Sequence, residues 1–406
     1  NFWVMKELNR PWNIFMSVSC RIKNRTALWI PFLLCTAKME IRSKGGSVAE
    51  VIRKINLSAQ NFTVHQEKTL RALSYCRTAA LGGHIDACDS CGNLSISYNS
   101  CRNRHCPQCQ GHKREEWIQK REQELLPCSY YHVVFTLPEE LNGLAISQPA
   151  LLYKTLFEAA WATLNQFGKN KGIQLGMIAI LHTWGQNLSI HPHLHCIVPG
   201  GGINKQGKWR AKIKSDKYLF CVKAMSKVFR AKFVALLRAS GIKDQDLIDQ
   251  LFTKSWVVYG KRPFGGPKSV IEYLGRYTHK VAISNHRIKE VTDNEVRFGY
   301  KDYRKEGQKK EMTLSNTEFV RRFSIHILPR RFVRIRHYGI LSSSWKRGKL
   351  QDLQSDLKIQ ITEVKPKTLV KKCRCCKEGN LVTIALFGQR GPPEDFLAVF
   401  NALSAK

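Results

Sequence analysis

The stretch from residue 190 to 198 reads Ile190-His191-Pro192-His193-Leu194-His195-Cys196-Ile197-Val198, and the glycine run Gly200–Gly202 follows it. Its apolar and β-branched residues, ended by the glycine run, predict a β-strand over His193–Val198. Alternate residues of a strand share a face, so His193 and His195 point the same way while Leu194 turns to the other side. Two imidazoles on one strand face form half of a metal site. The preceding segment, Gly176–Trp184 (GMIAILHTW), also reads as a strand. Antiparallel pairing of the two would bring His182 or Gln186 near the pair. His191 shares the parity of His193 and His195, although Pro192 lies between. A lone histidine is usually structural, but two at spacing two in an apolar strand point to a metal.

On either side, strands and helices are interspersed. Tyr130–Leu137 (YYHVVFTL) is a predicted strand that Pro138 stops, and Ser255–Tyr259 is another. Lys113–Leu126, Leu151–Phe167 and Lys217–Ser240 are predicted helices. Residues 293–315 alternate like a hairpin.

Ser269–Val281 reads SVIEYLGRYTHKV, a predicted helix. Tyr273 and Tyr277 are four residues apart and so share one helix face, with Arg276, His279 and Lys280 around them. A phenol, with a pKa of about 10, is a poor nucleophile without a cationic or metal-rich setting. The histidine pair would provide that setting. Taken alone, a tyrosine pair on a helix is more often core than catalytic.

Cysteine is the next signal. Cys88-Asp-Ser-Cys91 and Cys106-Pro-Gln-Cys109 are two Cys-x-x-Cys knuckles separated by 14 residues. Each supplies two thiolates from one tight turn, and two knuckles make the four ligands of a tetrahedral zinc. Cys76, His84, Cys101 and His105 are candidates for a second zinc site. Arg102 and Arg104 lie among these ligands as plausible readers of phosphate or bases. Cys373-Arg-Cys-Cys376 contains one more pair, and without a partner pair in the tail it reads as a partial cluster.

Lys and Arg number 66 against 31 Asp and Glu, a net charge of +35. Such an excess costs self-repulsion, and a polyanionic partner, nucleic acid first, would offset it. No stretch has the roughly 18 apolar residues of a membrane helix, and no signal peptide is apparent. Paired cysteines in a reducing cytosol indicate metal rather than disulfides. The basic segment Arg321–Arg336, with Arg331 and Arg334, interleaves with Phe323, Phe332 and Tyr338 and suits single-strand stacking. Residues 1–38 show no clear period, and the expectation is an upstream or non-native extension with the true start near Met39.

In this order, the pieces resemble the rolling-circle transposases of the insertion sequence 91 family, two-tyrosine members of the HUH nuclease superfamily. The carrying residues are CDSCG from 88, SCRNRHCPQC from 100, HVVFTLPEEL at 132–141, HTWGQNLSIHPHLHCIVPGGG at 182–202 and EYLGRYTHKVAISNHRI at 272–288. The resemblance implies an α+β fold, an HUH-type central antiparallel sheet with flanking helices, preceded by a small zinc-ribbon-like module. It implies that His193 and His195 hold Mg²⁺ or Mn²⁺ with a third ligand, for which His191, His182 and Gln186 are the candidates. Tyr273 or Tyr277 would attack DNA, leaving a 5′-phosphotyrosine and a free 3′-OH. Arg276 and Lys280 would contact phosphate. The implied partner is single-stranded DNA at element ends, in the bacterial cytoplasm at the nucleoid. The expected division is 39–126 for a zinc-binding DNA-recognition domain, 127–350 for the catalytic domain and 351–406 for the tail. A replication initiator or relaxase would share the chemistry, but the chain has no Gly-x-x-x-x-Gly-Lys-Ser/Thr loop for a helicase part. A non-catalytic zinc-dependent DNA-binding protein is the remaining alternative, and an inactive remnant would be expected to have lost the histidines or tyrosines.

Overall fold

The computed structural model describes residues 46–211, 219–260, 269, 270, 273, 275, 278, 280–359 and 371–392; for residues 111–116 and 304 it describes the backbone alone. The expected extension 1–38 lies outside them. Along the chain the strands are β1 (Gly83–Cys88), β2 (Leu94–Tyr98), β3 (Tyr130–Thr136), β4 (Gly176–Trp184), β5 (Ile190–Pro199), β6 (Gly201–Ile203) and β7 (Trp209–Ala211). They continue with β8 (Val258–Gly260), β9 (Ile288–Val291), β10 (Glu295–Asp302), β11 (Gln308–Ser315), β12 (Ile335–Gly339) and β13 (Leu381–Phe387).

The central sheet has the order β12-β4-β5-β3-β8, with every neighbouring pair antiparallel. Its middle strands carry apolar residues on both faces because both are covered. Met177, Ala179, Leu181, Leu194, Cys196, Val133 and Phe135 point to one face. There they meet the helices Pro149–Asn170 and Val222–Ala239. In the first of these, Leu152, Leu156, Ala160 and Leu164 recur at helical spacing on the buried stripe, and Pro149 opens the helix at a position where its missing N–H costs nothing. The opposite parity gives Tyr130, Ile180 and Ile197, which enclose Val270. His132, His182, His193 and His195 share that second face by the two-residue period.

A second core joins segments far apart in sequence. Val48, Val51 and Ile52 of the helix Val48–Arg53 and Leu70 and Leu73 of the helix Val64–Ser74 pack with Ile288, Val296, Phe298 and Phe319. The rings of Phe298 and Phe319 meet edge to face, with centroids 5.7 Å apart. The expected division at residue 126 therefore does not follow the cores, since helices from before it complete the core of 282–327. The tail does not stand apart either: β13 pairs with β1, so the sheet β13-β1-β2 draws on both ends of the described chain. Helix periodicity reports which face is apolar but not which segment covers it, so only the fold reveals this sharing.

Candidate active site and metal centres

His182 and His193 stand directly opposite each other across β4 and β5, and His195 is opposite Ile180. This register brings the ligand nitrogens of His182, His193 and His195 within 4.8 Å of one another. Two hydrogen bonds orient the cluster. The Nδ1 of His193 donates to the backbone carbonyl of His191 at 2.7 Å. A carbonyl can only accept, so this bond fixes the proton on Nδ1 and keeps the lone pair on Nε2. The Nδ1 of His195 and the Nε2 of His132 on β3 are hydrogen-bonded at 2.9 Å. Burial pushes His193 down to about 4, and burial with the neighbouring His182 ring holds His195 well below the ordinary range. All this favours neutral imidazoles, the form that binds metal.

Of the three candidates for the third ligand, His182 is the one in this cluster. His191 is exposed near the start of β5 and lies outside it, its ring 5.1 Å from that of His193. It shares the parity of the pair, but the pairing register places no third histidine beside it. Gln186 sits in the β4–β5 connection and accepts from the Arg287 guanidinium through its backbone carbonyl. His132 was not foreseen. Its only signal was a histidine in an apolar strand, HVVF, on the parity of Tyr130.

Ser269, Val270, Tyr273, Gly275 and Thr278 are helical, as expected of the tyrosine segment. Buried Val270 seats this helix on the histidine face of the sheet, against Tyr130, Ile180 and Ile197. The Tyr273 ring meets the His132 ring edge to face, with centroids 5.2 Å apart. Tyr277 and Arg276 lie outside the described residues. Lys280 is exposed, and its charge lowers the proton affinity of both His193 and His195.

The eight sulfurs of two clusters divide differently from the expected pairing. Cys76, Cys101, Cys106 and Cys109 form one group, and Cys88, Cys91, Cys373 and Cys376 the other. The 14 residues between the two front knuckles contain β2, which folds back on β1. Cys88 and Cys91 sit at the hairpin turn, whereas Cys101 lies past its open end, beside Cys76 after the helix Val64–Ser74. At about 3.4 Å per strand residue the hairpin alone separates the knuckles by well over a metal–ligand distance. His84 and His105 belong to neither group. His84 lies 3.5 Å from the Asp86 carboxylate. His105 is buried and takes a hydrogen bond from Arg104 Nε at 3.3 Å.

Two family models match the chain: "Transposase zinc-binding domain" over residues 48–137 and "Putative transposase" over residues 176–349. The "Putative transposase y4qJ" of Sinorhizobium fredii (strain NBRC 101917 / NGR234) is 40% identical over 390 residues, covering 86% of this chain and 98% of that protein. The chain belongs to the insertion sequence 91 family of transposases. The transposase is also similar to the "Transposase for insertion sequence element IS801" of Pseudomonas savastanoi pv. phaseolicola, 29% identical over 289 residues, or 68% of this chain and 70% of that protein. No solved structure matches it. The transposase acts on DNA, and its cysteine clusters fit structural zinc. No helix among the described residues is long and apolar enough to cross a membrane.

Two basic residues expected to meet DNA, Arg104 and Arg334, are turned inward in the transposase. Arg104 donates to the carbonyls of Pro329, at 3.0 Å, and of Phe332 and Leu328. Arg334 donates to the carbonyl of Lys280 at 2.9 Å and to that of Thr278. These guanidinium groups are thereby committed to the protein's own backbone carbonyls. The aromatic residues of this segment are also engaged: Phe323 is in the second core, Phe332 packs against Tyr153 and Phe157, and Tyr338 stacks on Trp161. Expected stacking of single-stranded bases on these rings thus conflicts with their packing. Arg102 and Arg331 are exposed. We expect Arg334→Met to destabilise the transposase by about 1–3 kcal/mol, because two inward-facing carbonyls lose their donor. Urea unfolding measures it, and an unchanged midpoint would show that water replaces the guanidinium at no cost.

Proposed function

We propose that this transposase nicks and rejoins single-stranded DNA through a tyrosine, by the HUH chemistry that its family resemblance implies. The supporting observation is one face of the sheet: three convergent imidazoles with a tyrosine-bearing helix seated beside them. Tyr273 or Tyr277 attacks the scissile phosphate in line. A bond forms between the phenolic oxygen and phosphorus, and the bond from phosphorus to the 3′ oxygen breaks. The phenol proton ends on that oxygen, so the products are a 5′-phosphotyrosine and a free 3′-OH. The phosphodiester energy is kept in the covalent link, and rejoining needs no external cofactor. Two tyrosines permit two successive transfers, as rolling-circle transposition requires.

His182, His193 and His195 would hold Mg²⁺ or Mn²⁺, and the residues present fit such an ion. Burial holds His193 and His195 neutral, and His193 presents Nε2 because its Nδ1 is committed to a carbonyl. When bound, the ion supplies Lewis-acid polarisation of the phosphate and a template for it. His132 orients His195 through the bond to Nδ1. Lys280, exposed and close enough to act on both histidines, is placed to attract phosphate and adds to the positive field.

The test is a nicking assay with purified protein, labelled single-stranded DNA carrying the element's own ends, and Mn²⁺ or Mg²⁺. Imidazole donors bind Mn²⁺ more strongly than Mg²⁺, so Mn²⁺ is the more sensitive probe. A metal-dependent protein–DNA adduct at the 5′ end is the expected result. Binding to correct ends by zinc-loaded protein with no adduct would favour the non-catalytic reading.

A further inference from the structure

The C-terminal cysteine pair has a partner at the other end of the chain. β13 runs antiparallel to β1, from Gly83 opposite Phe387 to Cys88 opposite Leu381. This pairing sets the turn Cys373–Cys376 against the turn Cys88–Cys91. We propose that Cys88, Cys91, Cys373 and Cys376 hold a second structural zinc, separate from the Cys76 group, and that it fastens the C-terminal segment to the front module. The matched zinc-binding segment ends at residue 137 and contains only half of this ligand set.

The sulfur spacing supports a metal over a disulfide. The Sγ atoms of Cys88 and Cys376 are 3.7 Å apart, and so are those of Cys91 and Cys373. A tetrahedron with Zn–S of about 2.3 Å has an edge of about 3.8 Å, whereas a disulfide bond is about 2.05 Å long. Backbone N–H groups converge on the sulfurs: Ser90 and Cys91 donate to Cys88 Sγ at 3.4 Å each, and Gly379 donates to Cys376 Sγ at 3.3 Å. Donors of this kind stabilise thiolates, the form that binds metal. Gly379 is needed there, since a Cβ would lie 2.4 Å from Cys88 Sγ.

The surrounding contacts reinforce the closure. Asp89 accepts from the backbone N–H of Asn380 at 2.7 Å and from its side-chain amide at 3.1 Å, while Asp89 N–H donates to the Asn380 carbonyl. Asp86, buried on β1, accepts from Thr383 on β13 and from Ser97 on β2, with Lys371 at 3.6 Å. Removing the tail would leave that carboxylate without its Thr383 and Lys371 partners, a costly state for a buried charge. The staple joins positions 282 residues apart. Closing so long a loop removes much denatured-state entropy, so the ion contributes to folding as well as to local order.

The test counts zinc in full-length protein. We expect two zinc ions per chain in the wild type, and one in the double variant Cys373→Ser/Cys376→Ser. One ion in both proteins, or two in both, overturns the proposal. If the double variant fails to fold, alkylation of the zinc-loaded wild type decides. Cys373 and Cys376 should resist iodoacetamide while exposed Cys221 reacts, and a chelator should release all four staple cysteines together. Reaction of Cys373 and Cys376 at the rate of Cys221, or protection that yields only to a reductant, overturns it. Neither readout depends on DNA cleavage.

Discussion

Tyr273→Phe is expected to abolish complete transposition and to lower nicking through this position by at least about 10⁴-fold, the scale on which removal of an enzyme nucleophile acts. The substitution deletes one oxygen and leaves the ring, so the edge-to-face contact with His132 and the seat of Val270 on the sheet should persist. DNA affinity should therefore stay within about threefold of the wild type, because phosphate contacts by Lys and Arg dominate binding. Gel-shift measurements at fixed salt check the binding, and denaturing gels of Mn²⁺ reactions check the adduct. Tyr277→Phe should also abolish complete transposition, and peptide mapping of any adduct formed by each single variant would identify the first attacker. Loss of binding together with cleavage in Tyr273→Phe would mean that the tyrosine is structural. Full transposition by that variant would remove it from the chemistry.

Much of the central sheet was legible because burial on both faces writes a strand almost unbroken in apolar residues. Gly176–Trp184 has the same ends in sequence and structure, and Tyr130–Leu137 loses only its last residue. The face shared by His193 and His195 followed from parity alone. Parity does not give register, however, and the third member of the cluster depends on which residue of β4 faces His193. Hence His191, His182 and Gln186 were equivalent on paper. The cysteines show the same limit at longer range. Local spacing identifies each knuckle, because two ligands come from one turn, but which knuckles meet depends on the hairpin between them and on β13 returning from residue 381. The histidines at 84 and 105 were attractive as neighbours in sequence, yet one turns to Asp86 and the other to Arg104. In the segment 321–336 the alternation of charge and aromatic rings looked like a nucleic-acid surface. Phe323 lies in the second core and Phe332 packs against the first, and several of the segment's guanidinium groups hold the protein's own carboxylates and carbonyls: Arg321 and Arg322 both pair with Glu318.

The register also yields the sharper of the two mutational contrasts. His182→Ala should cost about 1,000-fold or more in metal-dependent nicking, since a divalent ion's stabilisation of a phosphoryl transition state is worth several kcal/mol. His191→Ala should cost no more than a few-fold, its ring being exposed and outside the cluster. Its backbone carbonyl, which orients His193, survives the substitution. Calorimetric Mn²⁺ titration of the zinc-loaded protein separates binding from chemistry: His182→Ala should weaken Mn²⁺ binding sharply, and His191→Ala should not. The pH dependence follows from the same burial. His193, pushed down to about 4, is neutral across the physiological range, so its protonation should not limit Mn²⁺ binding until the pH falls toward that value. A larger loss from His191→Ala than from His182→Ala, in binding and nicking alike, would show that the strands shift to bring a different histidine to the ion and would overturn the ligand set argued from the β4–β5 pairing.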